Sequence, residues 1–504
     1  MRKIKILDTT LRDGEQAPGY SMHASEKLEM SAQLEKLGVD IIEAGFAAAS
    51  RGDFNSVKEI AEARNVTVCT LSRCKKEDID AAYEALKNAR VTPRIHLFIA
   101  TSPIHMEYKL KMTEDEVLSK IKESVSYARK FFTDIQFSCE DATRSDLNFL
   151  VKAVTAAMNA GATTINIPDT VGYSYPEEIT KIFEYLLKNV PDADKVTFST
   201  HCHNDLGLAV ANSLAAIKAG AGQLECTVNG IGERAGNASM EEVCMTLKTR
   251  RDYYDADTSI ITKQIYNTSQ LLSSVTGVKL PPTKPLVGRN AFAHESGIHQ
   301  HGVLANRLTY EIISPSSIGI VEDANLILGK HSGKHAFADY LAGMGIEVGE
   351  QELNILFQKF KTIADKKKIV TNKDIQYIIS HTNTTQVQKL FRLNNYGITT
   401  LKGGPALATI TLDTPDGTKA ANATGDGPLD AAFKAINFIT EREFKLIDWS
   451  VNAITEGEDA MGAATLRLAY DGNEVSGRGV STDTVEASLL AYLNGCNKLF
   501  DMVP

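Results

Sequence analysis

Eight short runs rich in β-branched and other apolar residues recur through the first half of the chain, at residues 4–8, 40–46, 66–72, 94–101, 134–140, 163–169, 196–203 and 223–229. Stretches with helical apolar spacing separate them, for instance residues 25–37, 113–131, 146–160 and 207–219. A run that stays apolar instead of alternating is buried on both faces, the condition of a parallel strand covered by helices. Eight such strand and helix units match a (β/α)8 TIM barrel, with an open doubly wound sheet as the alternative. Closure is favoured because Asp8, Glu43, Ser72, His96, Ser138, Glu140, Asp169, His201, His203 and Asn229 gather where the runs end. In a barrel those ends share one mouth, where the active site belongs.

With 504 residues the chain exceeds a single hydrophobic core, and about three structural units are expected. Residues 1–260 read as the barrel, 261–385 as helical subdomains completing its active site, and 390–504 as a regulatory domain. The proline-rich stretch Leu280-Pro281-Pro282-Thr283-Lys284-Pro285 marks a boundary where a second unit starts. Near the end, Ala408-Thr409-Ile410-Thr411-Leu412 recurs as Ala464-Thr465-Leu466-Arg467-Leu468, and Leu429-Asp430-Ala431 recurs at the same offset as Val485-Glu486-Ala487. Strands, a turn and one apolar helix in each copy predict a pseudo-twofold α+β domain. That domain has no evident catalytic cluster, so sensing or dimerisation is its expected work. The fold class is therefore α/β: a TIM barrel, helical subdomains and a C-terminal pseudo-twofold α+β domain.

A net charge of −9 excludes the concentrated basic stripe of a nucleic-acid surface, and Lys366-Lys367-Lys368 reads as a solvated helix face. No apolar run reaches the roughly 18 residues of a membrane span, and Met1-Arg2-Lys3-Ile4-Lys5 leads into a strand without a signal-peptide core, so a cytoplasmic location is expected. The seven cysteines are odd in number and form no Cys-x-x-Cys pair, which predicts reduced thiols.

His201 and His203 end the seventh run, and side chains two apart on a strand share a face. Both imidazoles can reach one ion; a hydrogen-bonded structural pair is the other reading. Closure tips the balance to the ion, since Asp13 after the first strand and Asn237 after the eighth converge on the seventh. Two imidazoles with carboxylate and amide oxygens suit Mn²⁺, Mg²⁺ or Zn²⁺ in an open site. In Thr10-Leu11-Arg12-Asp13-Gly14-Glu15-Gln16, Arg12 is either half of a surface pair or a cation able to neutralise a developing enolate or ketone oxygen. Gly230-Ile231-Gly232-Glu233-Arg234-Ala235-Gly236-Asn237 imitates a dinucleotide fingerprint, but no further βαβ unit follows it; its backbone N–H groups can still meet phosphate. Among His294, His299 and His301, one histidine reaching the barrel mouth as a general base is favoured over a second metal site, while His331 and His335 read as structural.

Leu11-Arg12-Asp13-Gly14-Glu15-Gln16, His201-Cys202-His203-Asn204-Asp205, Asn229 to Asn237 and Glu295-Ser296-Gly297-Ile298-His299-Gln300 together resemble the 2-isopropylmalate synthases. The resemblance covers the barrel, the helical subdomains and the repeated domain, which looks like that family's leucine-binding regulatory domain. It implies that Asp13, His201, His203 and Asn237 hold the metal and that Arg12, His96, Ser138 and Thr170 contact a 2-oxo acid. It implies Arg12, Glu140, His299 and Tyr310 as catalytic residues, and Gly230, Gly232 and Gly236 near coenzyme A. Acetyl-CoA as co-substrate, K⁺ as activator, leucine as effector and a homodimer or homotetramer are implied with it. So is the reaction: condensation of acetyl-CoA with 2-oxoisovalerate and thioester hydrolysis. The motifs singly would also fit citramalate or homocitrate synthases. One departure stands out, Ala47-Ala48-Ala49-Ser50 after Gly45-Phe46 where the family usually has proline, and Arg51 follows closely. From another class, a leucine sensor with an inactive barrel is the rival; a carboxyltransferase is disfavoured by the lack of a Met-Lys-Met biotin site.

Overall fold

The structure, a computed structural model, describes residues 1–292, 306–320, 334–343, 348–366, 375, 378, 390–400, 403–453 and 462–502. Strands β1 (Lys5–Asp8), β2 (Ile41–Glu43), β3 (Thr67–Arg73), β4 (Arg94–Ala100), β5 (Asp134–Glu140), β6 (Thr164–Asp169), β7 (Thr197–Cys202) and β8 (Gln223–Cys226) pair in parallel and in sequence order. β1 also pairs with β8, from Lys5 opposite Gln223 to Asp8 opposite Cys226. The sheet is thus a closed barrel, and the open-sheet alternative falls.

The strands lead in turn to helices α1 (Ala24–Leu37), α2 (Arg51–Ala63), α3 (Lys76–Leu86), α4 (Glu114–Ala128), α5 (Leu147–Ala160), α6 (Pro176–Asn189), α7 (Ala209–Ala219) and α8 (Met240–Thr249). Their ends follow from local chemistry. Thr113 and Glu116 cap α4 reciprocally, each side chain accepting from the other's backbone N–H. Asp146 accepts from Phe149 N at the start of α5, and Gly161, at φ 115°, lets the chain leave it.

Alternation along the strands sorts the two faces. Ile95, Leu97 and Ile99 of β4 belong to the apolar layer, whereas Arg94 and His96 project the other way and meet side chains from across the barrel. Barrel interiors are usually filled by branched apolar residues. This one has a hydrogen-bonded polar layer: Arg94 NH1 donates to Gln136 Oε1 (3.0 Å) and Gln223 Oε1 (2.6 Å), and Gln223 Nε2 donates to Gln136 Oε1 (2.7 Å) and Ser199 Oγ (3.0 Å). Each buried polar group left unpaired would cost about 1–3 kcal/mol, which is why the layer is so thoroughly connected.

By packing, the chain divides into Met1–Glu322 and Asp323–Pro504. In the first unit, helix α9 (Ile265–Thr276) packs on α1, with Gln33 Nε2 donating to Thr268 Oγ1 at 2.9 Å. Within the proline-rich stretch, Lys284 Nζ reaches Ser239 Oγ (3.1 Å) and Glu242 Oε1 (2.5 Å) at the start of α8. Proline marks a turn there, and a lysine meeting carboxylates ties that turn to α8.

The second unit contains α10 (Lys334–Gly343) and α11 (Glu350–Lys366), between which Phe337 and Phe360 stack at 4.9 Å. Two antiparallel sheets follow: β9 (Arg392–Thr399), β10 (Ala406–Thr414) and β11 (Gly417–Gly425), backed by α12 (Pro428–Thr440), then β12 (Lys445–Ala453), β13 (Gly462–Tyr470) and β14 (Asn473–Ser481), backed by α13 (Thr484–Met502). The second and third strands and the helix start 56 residues later in the second copy, and the first strand of each copy carries a register shift. The helices share one core in which Phe433 stacks on Tyr492 with ring centroids 4.1 Å apart. This is the expected pseudo-twofold α+β domain.

All seven cysteines are free and buried, and burial pushes their thiols upward, to about 12 for Cys74, Cys202 and Cys244. No helix among the described residues is long and apolar enough to cross a membrane.

Candidate active site

After β1 the chain turns tightly, with the N–H groups of Arg12, Asp13 and Gly14 all donating to Thr9 O at 2.9–3.1 Å. The turn is anchored from both sides. Asp8 accepts from Thr10 N (3.0 Å) and Thr10 Oγ1 (2.8 Å), and that hydroxyl accepts from Val228 N beyond β8 (2.9 Å). Asp13 is thereby held opposite His201 and His203, and Cys202 between them faces Thr200 and not the site, as strand alternation requires.

Asn237 arrives from the loop after β8. Its backbone bridges to His203, its N–H donates to Gly230 O (3.0 Å), and Ala238 N donates to Cys202 O (3.0 Å). Glycine makes this path available. Gly236 has φ +93°, and a Cβ there would lie 2.1 Å from Gly230 O; one on Gly232 would lie 2.3 Å from Asn237 Nδ2. The local work of this glycine loop is to bring Asn237 against β7.

Ligand atoms of Asp13, His201 and His203 lie within 4.8 Å of one another, all three residues buried. The Nε2 atoms of the two histidines are 3.2 Å apart, and His201 Nε2 is 3.8 Å from Asp13 Oδ2. Asn237 Nδ2 donates to Asp13 Oδ1 (3.0 Å), while its Oδ1 is buried without a partner, as is His203 Nδ1. Burial works to raise the Asp13 carboxyl, but Arg12 and the two imidazoles outweigh it and hold Asp13 below the carboxylate range. Burial, with His201 beside it, pushes His203 down to about 3, so this ring is neutral. His201 is raised: burial opposes it, but the hydrogen bond and charge of Glu225 prevail, with Glu225 Oε2 2.9 Å from Nδ1. A carboxylate behind one ring nitrogen turns the other nitrogen's lone pair toward the cluster. Two nitrogen donors, an ionised carboxylate and an orphaned amide oxygen fit a hard or borderline divalent cation.

A second group adjoins the first. Arg12 donates through NH1 to Asp13 Oδ2 (2.6 Å) and through Nε to Glu43 Oε2 (2.7 Å), so it is a buried bridge and not a surface pair. Glu43 Oε1 meets His96 Nδ1 at 2.6 Å, His96 Nε2 meets Ser138 Oγ at 2.6 Å, and Asn166 Nδ2 donates to Ser138 Oγ at 2.8 Å. Burial tends to raise Glu43, yet Arg12 and His96 keep it ionised well below its usual range. The result is a polar wall beside the cluster that carries the Arg12 guanidinium and the Ser138 hydroxyl, able to receive an anionic oxygen.

The remaining expected residues lie at the rim or elsewhere. Thr170 Oγ1 accepts from Asp141 N (2.9 Å), and its carbonyl accepts from Arg234 NH2 (2.9 Å). Glu140 is paired with Lys109 Nζ at 2.5 Å. Tyr310 is exposed in the turn after Arg307–Thr309. His299, like His294, His301 and His331, lies outside the described residues. Asn229, grouped above with the mouth residues, turns away: the chain leaves β8 at Cys226, and the Asn229 side chain joins Ser269 on α9. Glu225, Gln136 and Asn166 were missed by sequence reading. Their signal was a charged or amide side chain within a run otherwise buried on both faces.

A cavity of about 430 Å³ opens from Asn237 and Gly232 past Tyr20 and Leu272 to Lys279 and Lys284.

Comparisons with known proteins agree with this arrangement. Residues 3–272 match the HMGL-like family, residues 286–368 the homocitrate synthase post-HMGL domain-like family, and residues 369–500 the LeuA allosteric (dimerisation) domain. The chain is 50% identical over 498 residues to a 2-isopropylmalate synthase of Ruminiclostridium cellulolyticum, covering 99% of this chain and 97% of that protein. It is 52% identical to that of Carboxydothermus hydrogenoformans (99% and 98% covered) and 51% identical to that of Pyrococcus furiosus (99% of both). A closed barrel of the HMGL-like family, a repeat matching the LeuA allosteric (dimerisation) domain and relatives alike from end to end lead to one conclusion: the chain belongs to the 2-isopropylmalate synthase family of acyltransferases.

Proposed function

We propose that this chain condenses acetyl-CoA with 2-oxoisovalerate and hydrolyses the thioester, releasing 2-isopropylmalate and free CoA, with Asp13, His201, His203 and Asn237 holding the divalent ion. The observation that carries this reading is the contact between two buried groups: the Asp13, His201, His203 cluster and the Arg12, Glu43, His96, Ser138 wall. Mn²⁺, Mg²⁺ or Zn²⁺ bound there would supply Lewis acidity toward a ketone. Arg12, immobilised by two carboxylates, neutralises charge on the ketone oxygen as the new carbon–carbon bond forms. Ser138 and His96 contact the acceptor, and Thr170 borders it. Glu140 and His299 handle the protons: one takes a methyl proton from acetyl-CoA, and one returns a proton to the alkoxide, with Tyr310 assisting. Water then consumes the thioester. The cavity along Gly230, Gly232 and Gly236 toward Lys279 suits the pantetheine arm, with the Lys279 cation for the phosphates.

Acceptor choice follows from β2. Ala47 is buried beside Thr70 Oγ1, whereas Arg51 opens α2 and is exposed. A small apolar wall suits a branched aliphatic chain better than a second carboxylate. Assaying CoA release with 2-oxoisovalerate, pyruvate and 2-oxoglutarate tests this: the first is expected to be preferred, and turnover with only one of the others would refute it. Leucine as effector acting through the repeated domain, K⁺ as activator, a homodimer or homotetramer and a cytoplasmic location complete the proposal.

A further inference from the structure

Besides Arg12, a second side chain, one that sequence reading passed over, joins the two halves of the site. Gln136 on β5 is fully buried, as are Gln223, Glu225, His96 and Arg94 around it. Its Oε1 accepts from Arg94 NH1 (3.0 Å) and Gln223 Nε2 (2.7 Å). A guanidinium can only donate, and Gln223 is itself oriented by giving its Oε1 to Arg94 and its Nε2 to Ser199. The Gln136 amide therefore has one orientation open to it. Its Nε2 faces Glu225 Oε1 on one side and His96 Nε2 (3.2 Å) on the other, and both donors and both acceptors are used.

We infer that Gln136 is a positioning residue that ties the metal-binding half of the site to the half that receives the 2-oxo acid; the inference rests on the function proposed above. Toward the metal, the Gln136 amide makes Glu225 an acceptor at Oε1, and Glu225 Oε2 takes the Nδ1–H of His201, leaving Nε2 free to face Asp13 and His203. Toward the substrate, the same amide makes His96 Nε2 an acceptor. His96 then donates through Nδ1 to Glu43, and the Ser138 hydroxyl, accepting from Asn166, donates to His96. One amide thus bears on the proton directions of His201 in one half and of His96 and Ser138 in the other, and tilting it disturbs both together. Gln136 itself is a support for ligands and wall, not a group that touches the reactants.

The test is Gln136→Met, which keeps the side-chain length and removes all four hydrogen bonds. Mn²⁺ titrated calorimetrically into metal-free protein is expected to bind about 10- to 100-fold more weakly, the usual effect of losing support behind a ligand. At saturating Mn²⁺ the KM for 2-oxoisovalerate should rise about tenfold, one net hydrogen bond's worth, with the KM for acetyl-CoA unchanged. Gln223→Met, which removes only an orienting partner, should shift both quantities in the same direction but less, and it serves if Gln136→Met does not fold. A change in Mn²⁺ affinity alone, in acceptor KM alone, or in neither overturns the inference. Wild-type protein that binds no Mn²⁺ would overturn the metal reading and this inference together; wild type that binds normally beside an equally normal Gln136→Met overturns this inference alone.

Discussion

Asp8, at the end of β1, is buried with Thr10 as its partner and the carboxylates of Glu43 and Glu241 near it. Burial is the largest influence and pushes its pKa up to about 7 against the lowering effect of Thr10. The folded pKa lies above the unfolded one, so the contribution to stability is complete below about pH 4 and is lost as pH rises to about 7. Over that window the loss is on the order of 4 kcal/mol. Asp8→Asn cannot ionise, so its melting temperature should gain on wild type steadily between about pH 4 and 7 and hold a constant lead above. A lead that does not vary with pH would contradict this. At Gly236 the expectation concerns geometry: Gly236→Ala puts a methyl against Gly230 O, displaces Asn237 and weakens Mn²⁺ binding although no ligand is changed. Calorimetry showing wild-type affinity would refute it. Much of this neighbourhood was readable, because His201 and His203 are two apart on a strand and closure puts Asp13 and Asn237 beside them. Gln136 and Glu225 were not, because their partners lie 40 or more residues from Gln136, and 24 or more from Glu225, in sequence.

At the scale of elements, the barrel strands were legible because burial on both faces writes a continuous apolar run, and β5 occupies the expected residues 134–140. The ends were less so. β8 stops at Cys226, before the expected 229, since Asn229 takes φ 62° in a short turn, a backbone state that local polarity does not announce. The repeat fared better, since residues at a 56-residue offset occupy equivalent strand positions. Its helices meet through Phe433 and Tyr492, whose hydroxyl also donates to Asn437 Oδ1 at 2.8 Å. Phe433→Ala should cost this domain about 3–5 kcal/mol by opening a cavity. Thermal unfolding followed by Trp449, on β12, should shift to lower temperature, whereas an unmoved transition would mean that the two copies do not share their core.

Across the whole molecule, the candidate site and the repeat belong to different compact units, Met1–Glu322 and Asp323–Pro504. Addition of leucine should slow CoA release by the full chain; an unchanged rate over the range in which leucine binds would remove the regulatory assignment. At the proline-rich stretch composition reports a turn and not where the chain goes next, which Lys284 and its carboxylate partners decide. The cysteines carry a different consequence. With each thiol buried and protonated in the folded chain, an alkylating reagent has nothing to attack until the structure around that sulfur opens. Six of the seven lie in the first unit, and Cys496 alone stands in the second. Brief exposure to iodoacetamide under mild heating, followed by mass analysis of each labelled peptide, would therefore act as a pair of clocks built into the native sequence. The order in which Cys496 and the barrel thiols acquire label would tell which unit opens first, with no engineered probe.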